Sequence, residues 1–151
     1  MESQERNFNF FRFEDLRLYH KALSYVQWVH NTVATFPDSK NNIVGNNLSK
    51  ASINIAINIA EGSGRNKNQF VYYLKMSKSS IRECVVLSTI AHQQGLLSVD
   101  DEETSRNFLI EISKMVGALI ASLQRSKKID EDEDENDDLI DETEGTNPNL
   151  Y

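Results

Sequence analysis

Glu61-Gly62-Ser63-Gly64-Arg65 sets a carboxylate, two glycines and a guanidinium side by side, residue types from which acid–base chemistry or a phosphate cradle can be built. Acid–base work needs a second titrating group held close to the first. No partner acid lies within sequence reach of Glu61, so a structural bond to the turn stands beside the catalytic reading. A phosphate loop of the P-loop type needs a Lys-Ser/Thr ending and a preceding strand, and this segment has neither. His20, His30 and His92 lack metal-ligand spacing, and Cys84 falls in an apolar helical seam rather than at a cationic helix start. His30, on an otherwise apolar stripe, reads as a hydrogen-bonded core histidine. With no converging acid, base or nucleophile, no catalytic residue, metal or cofactor is expected, and the chain does not read as an enzyme.

The stronger constellation is cationic. Lys75, Lys78 and Arg82, at spacings of three and four, share one flank of a helix that Arg65 and Lys67 begin. Arg17 and Lys21 share a stripe of another helix, and Lys127-Lys128 close a third. Lys and Arg neutralise phosphates and release counterions, so such stripes favour nucleic-acid backbone without reading sequence. An ordinary solvated helix face is the competing reading. Nothing resembles a base-reading recognition helix or an aromatic platform for single strands.

Helices must carry these residues, because apolar positions recur at three and four and almost nothing alternates with period two. The spacing predicts a first helix from about Asp15 to Thr35, with Pro37 beyond its end. It bears two apolar lines, Leu16, Tyr19, Leu23, Val26, His30 and Val33 on one side and Leu18, Ala22, Tyr25 and Val29 with Trp28 on the other. One line suffices for a core, so two suggest a second chain. The second helix, about Ile43 to Glu61, is apolar around most of its circumference, with a polar seam of Asn47, Asn54, Asn58 and Glu61 that includes Ala51. That seam reads either as amides bonding neighbouring helices or as a ligand-binding line. Gly62 and Gly64 are expected to turn left-handed and close this helix, and Asn66 with Gln69 to cap the next.

The third helix should span about Lys67 to Gln94 and stop at Gly95 with a Schellman cap completed by Leu96. Phe70, Leu74, Ser77, Ile81, Cys84, Ser88 and Ala91 keep a heptad alternation that favours nearly parallel or antiparallel packing. Ser98, with Asp101, should cap the fourth helix, which carries Phe108, Leu109, Ile112, Met115, Val116, Leu119, Ile120 and Leu123. Gly117 inside it is expected to mark a close helix crossing.

At 151 residues the chain is the size of one domain. The net charge of -7 is unevenly spread: residues 130 to 151 hold 11 acidic residues and no Lys or Arg, leaving 16 basic against 12 acidic before them. The expected organisation is an N-terminal extension over 1–12, a bundle over 13–128 and a disordered acidic tail over 129–151, since a self-repelling run buries nothing. The tail can compete with polyanions for the basic body, or simply aid solubility. One cysteine suits a reducing cytoplasm, no signal peptide is visible after Met1, and Ile53 to Ala60 is far short of the roughly 20 apolar residues a bilayer requires. A cytoplasmic protein without membrane contact is expected.

The segment Asn58-Ile59-Ala60-Glu61-Gly62-Ser63-Gly64-Arg65 joins several others: Phe13-Glu14-Asp15-Leu16, Lys21-Ala22, Phe36-Pro37, and Ser80 followed three residues later by Glu83. In these the chain resembles the 23S rRNA intervening-sequence family of four-helix-bundle proteins over roughly residues 13 to 125. The resemblance implies an all-α, up-and-down antiparallel four-helix bundle that assembles into rings, commonly pentamers. It also points toward nucleic acid, because a related branch contains accessory proteins of the reverse transcriptases of diversity-generating retroelements. The expected function is a non-enzymatic homo-oligomer that contacts the backbone of RNA or an RNA/DNA hybrid through Arg65, Lys67, Lys75, Lys78, Arg82, Arg17 and Lys21. A reverse transcriptase or a ribosomal component is an expected partner. The alternative is a protein-interaction hub recognised through its acidic tail, in which this chain departs from the family pattern.

Overall fold

The computed structural model describes residues 10–144, with side chains as far as Asp134. A short 3-10 turn, Arg12–Asp15, leads into four α-helices: α1 Arg17–Val33, α2 Ile43–Ser63, α3 Lys67–Gln93 and α4 Val99–Glu144. No strand occurs among the described residues. Each helix packs on the next and α4 closes back on α1, while the backbones of the diagonal pairs stay apart. This is the expected up-and-down antiparallel four-helix bundle.

Local chemistry sets most of the helix ends. The Asn42 side chain accepts from the Gly45 amide (2.9 Å) to start α2, and Asn66 accepts from the Gln69 amide (2.9 Å) to start α3. Ser98 Oγ accepts from the Asp101 amide (3.1 Å) at the head of α4. At the end of α3, Gly95 takes φ 75°; its amide donates to the His92 carbonyl and that of Leu96 to Ala91, the two bonds of a Schellman cap.

The α3 heptad faces the core as its spacing predicts, with Leu74, Ser77, Ile81, Cys84, Ser88 and Ala91 all buried. In α1 the inner line is Leu18, Ala22, Tyr25 and Val29. Of the other line only Val33 is buried; Leu23 and His30 are exposed, so His30 is not the core histidine its stripe suggested. Tyr25 fixes that orientation. Its hydroxyl pairs with Ser105 Oγ of α4 (2.8 Å), which pairs in turn with Ser88 Oγ of α3 (2.7 Å). The phenol also lies nearly parallel to the Trp28 ring and packs on Phe108. Ser77 Oγ donates to the Ile55 carbonyl (3.0 Å) and ties α3 to α2. Buried hydroxyls are tolerated because each finds a partner, and among the described residues no buried side-chain polar atom lacks one.

The glycines depart from expectation. Gly62 lies buried inside α2, and Gly64 has φ -86°, so neither is left-handed. Gly62 serves the approach of α3 instead: a Cβ there would lie 2.8 Å from both Phe70 Cδ2 and Tyr73 Cβ. Gly117 marks no close crossing, since a Cβ built on it meets no atom within 4 Å.

The backbone of α4 stays helical through Glu144, past the Lys127-Lys128 pair where the bundle was expected to close. Every residue from Lys127 to Asp134 is exposed, so this extension gains little from burial. Pairing between Lys127 and Glu131 (3.6 Å), one turn apart, supports its start. The parts of the expected extension and tail over 1–9 and 145–151 lie outside the described residues.

Candidate nucleic-acid interface

The seven cations singled out by spacing fall into two groups by pairing. Arg65 lies 3.5 Å from the Glu61 carboxylate and stacks over Tyr73, so the Glu61–Arg65 corner is held as structure. Lys67 donates to Ser126 Oγ (2.7 Å) and to Asp130 of the α4 extension. Lys21 binds Glu111 (2.9 Å) and sits 5.2 Å from the Phe108 ring centre. The second group, Lys75, Lys78, Arg82 and Arg17, enters no ion pair among the described residues. Exposed pairs are worth little in stability, but each partner cancels a charge that a polyanion would otherwise meet.

These residues do not converge on one pocket. Lys75 borders a hollow of about 270 Å³ between α3 and α4, together with Lys67 and Lys127. Arg82 borders a groove of about 460 Å³ between α2 and α3. Arg17 and Lys21 flank a third hollow, between α1 and α4, that also contains His20 and Glu111. Such a spread suits contact with a long charged backbone and gives no base a fixed seat.

The α2/α3 groove exposes what the sequence reading missed. Its edge includes Lys50, which sits between Asn47 and Asn54 in the polar seam at spacings of three and four. Spacing alone ran the seam through Ala51 and left this lysine out of the cationic stripes. The seam amides do not bond neighbouring helices: Asn58 Nδ2 donates to the Asn54 carbonyl one turn back in α2 (2.9 Å), while Asn47 and Asn54 face the groove.

Other groups with chemical potential are committed to the fold. Cys84 is fully buried, and burial pushes its thiol up to about 12, which keeps it protonated and unreactive. His92 Nδ1 lies 2.9 Å from the Leu97 carbonyl, in the turn before α4. Among the described residues, no helix is long and apolar enough to cross a membrane, and no group of three or more His, Cys, Asp or Glu is placed to hold a metal.

The sequence profile of the 23S rRNA-intervening sequence protein family matches residues 14–118. The chain belongs to that family. The family match therefore covers the Arg65–Arg82 flank and ends inside α4, leaving the acidic extension outside it. A crystal structure from Bacteroides thetaiotaomicron, described as a protein with unknown function from the S23 ribosomal protein family, has the same fold with a TM-score of 0.64. It is 16% identical and covers 68% of this chain and 97% of its own. No curated protein matches the chain.

Proposed function

We propose that this family member is a non-enzymatic, self-associating protein that holds the backbone of RNA or an RNA/DNA hybrid. The observation that carries the reading is the row of cations Lys75, Lys78 and Arg82 along α3, for which the described residues supply no carboxylate partner. One such row on one subunit is a weak attractor. Repeated around an assembly it becomes a charged belt, and counterion release grows with each phosphate met. A reverse transcriptase or ribosomal component that carries such nucleic acid is the corresponding partner.

Replacing Lys75, Lys78 and Arg82 together by Ala is expected to weaken binding of unrelated RNA sequences alike, by about tenfold, and to flatten the fall of affinity with salt. Fluorescence anisotropy across salt concentrations reads both effects. Affinity that is unchanged, or lost for one sequence only, removes the backbone reading.

Self-association is supported by the outer face of α1 and α2, where Leu23, Ile53 and Ile57 are 39%, 44% and 49% exposed and Val26 is half-buried. Apolar side chains gathered this way commonly mark an interface. Light scattering should give an assembly larger than one chain at micromolar concentration, and Ile57→Glu should shift it toward the monomer because a carboxylate buried without a partner is costly. A monodisperse wild-type monomer removes the claim. The number five rests on the family resemblance. A second reading, a protein hub recognised through its acidic segment, is favoured by the helical continuation of α4 beyond the bundle.

A further inference from the structure

We propose that the α2/α3 groove is a peptide-docking site whose occupant is the acidic segment Asp137-Asp138-Leu139-Ile140-Asp141-Glu142 of a second copy of this chain. The groove has an apolar floor of Ala51, Val86 and Leu87, with Lys50 and Arg82 at its edge and the amides of Asn47 and Asn54 beside them. Val86 is 57% exposed, so the floor is open to a ligand. A phosphate chain gains nothing from that floor, whereas a peptide with apolar residues between acids matches both parts. Glu83 also lines the groove and opposes an acid placed next to it, so the occupant's carboxylates belong on the Lys50 and Arg82 sides.

The chain contains one segment of that chemistry. Leu139-Ile140 is bracketed by Asp137-Asp138 and Asp141-Glu142, while Leu150-Tyr151 has no acid among the residues from Gly145 onward. Geometry then decides which copy supplies it. Lys67 contacts Asp130, which sets the start of α3 level with that point of α4. Because α3 and α4 are antiparallel, α4 leaves the bundle there in the direction away from the groove. At 1.5 Å per residue, Glu144 lies about 21 Å beyond Asp130 while Arg82 lies about 22 Å the other way. The segment 137–142 lies inside that helix, at least about 10 Å beyond Asp130 and so more than about 30 Å from Arg82 along the bundle. A helical α4 cannot reach its own groove; a neighbour's can. The contact is head-to-tail, distinct from the α1/α2 face, and does not depend on RNA binding.

Two full-length variants test it by complementation. One carries Lys50→Glu and Arg82→Glu in the groove; the other carries Leu139→Asn and Ile140→Asn in the tail. Lys50 and Arg82 are both exposed. Calorimetric titration of one variant into the other is expected to give heat corresponding to one tail per groove, weakening as salt is raised. Each variant diluted from concentrated stock should show the tail contact weakened at least about tenfold relative to wild type. No heat from the mixture overturns the proposal. Dilution heats equal to wild type in the groove variant do the same. A groove that binds homopolymeric RNA, while the paired variants give nothing, assigns it to nucleic acid and also overturns the docking segment.

Discussion

Gly62→Val is expected to destabilise the bundle by about 3 kcal/mol, near the top of the usual range for overpacking. A Cβ at this position would lie 2.8 Å from Phe70 Cδ2 and 2.8 Å from Tyr73 Cβ. The phenylalanine ring can turn, but Tyr73 Cβ is bonded to the α3 backbone and moves only if the helix moves. Shifting α3 outward would disturb Leu74, which is fully buried, and the Ser77 bond to the Ile55 carbonyl. The valine methyls add volume where even the first carbon has no room. Gly117→Ala is the control. With no atom within 4 Å of its Cβ, it should instead stabilise α4 by up to about 1 kcal/mol, the helix-propensity difference between the two residues. Urea unfolding followed by circular dichroism distinguishes the two through the midpoint at constant slope. A Gly62→Val midpoint at or above wild type would mean that α2 and α3 do not approach as described.

The opposite fates of these two glycines show where sequence stops being informative. A glycine inside a helix announces a missing side chain, but its reason sits on another helix, and only the packing shows Tyr73 beside Gly62 and open space beside Gly117. Local signals fared better. Asn66, Ser98 and Gly95 cap helices through bonds to residues within a few positions, so their roles were legible from spacing alone. The α3 heptad was legible for a similar reason, because a sustained period fixes one face.

In α1 two lines of comparable apolarity competed, and nothing in the helix itself ranks them. The choice comes from Ser105, 80 residues from its hydrogen-bond partner Tyr25. Charge pairing follows the same rule: the cationic spacing was visible, but Lys67 is met by Asp130 and Lys21 by Glu111, partners far along the chain. The acidic run was readable as charge. Its helical backbone to Glu144 was not, because a self-repelling segment without an apolar period gives no sign of structure.

Raising the pH from 9 to 11 is expected to weaken the fold by about 1 kcal/mol per pH unit through Cys84 alone. In the folded chain this thiol has no solvent contact, and burial, with a smaller push from Glu83, raises it from an ordinary 9.0 to about 12 against a lowering bond from Tyr25. Below pH 9 the thiol is protonated whether the chain is folded or not, so its contribution is constant and fully present. Between 9 and about 12 the unfolded chain releases a proton that the folded chain keeps, and the stability drains away over that window. Tyr25 is raised as well, first by burial and then by the charge of an ionised Cys84, so its phenol pulls in the same direction from about pH 10 upward. Urea midpoints measured from pH 7 to 11 for wild type and Cys84→Ala separate this from the ionisation of surface groups, which both chains share. The stability difference between them should shift by roughly 2 kcal/mol in favour of the alanine chain between pH 9 and 11. Parallel curves would show that the thiol ionises as readily inside the bundle as outside it, which is incompatible with its full burial beside Tyr25 of α1.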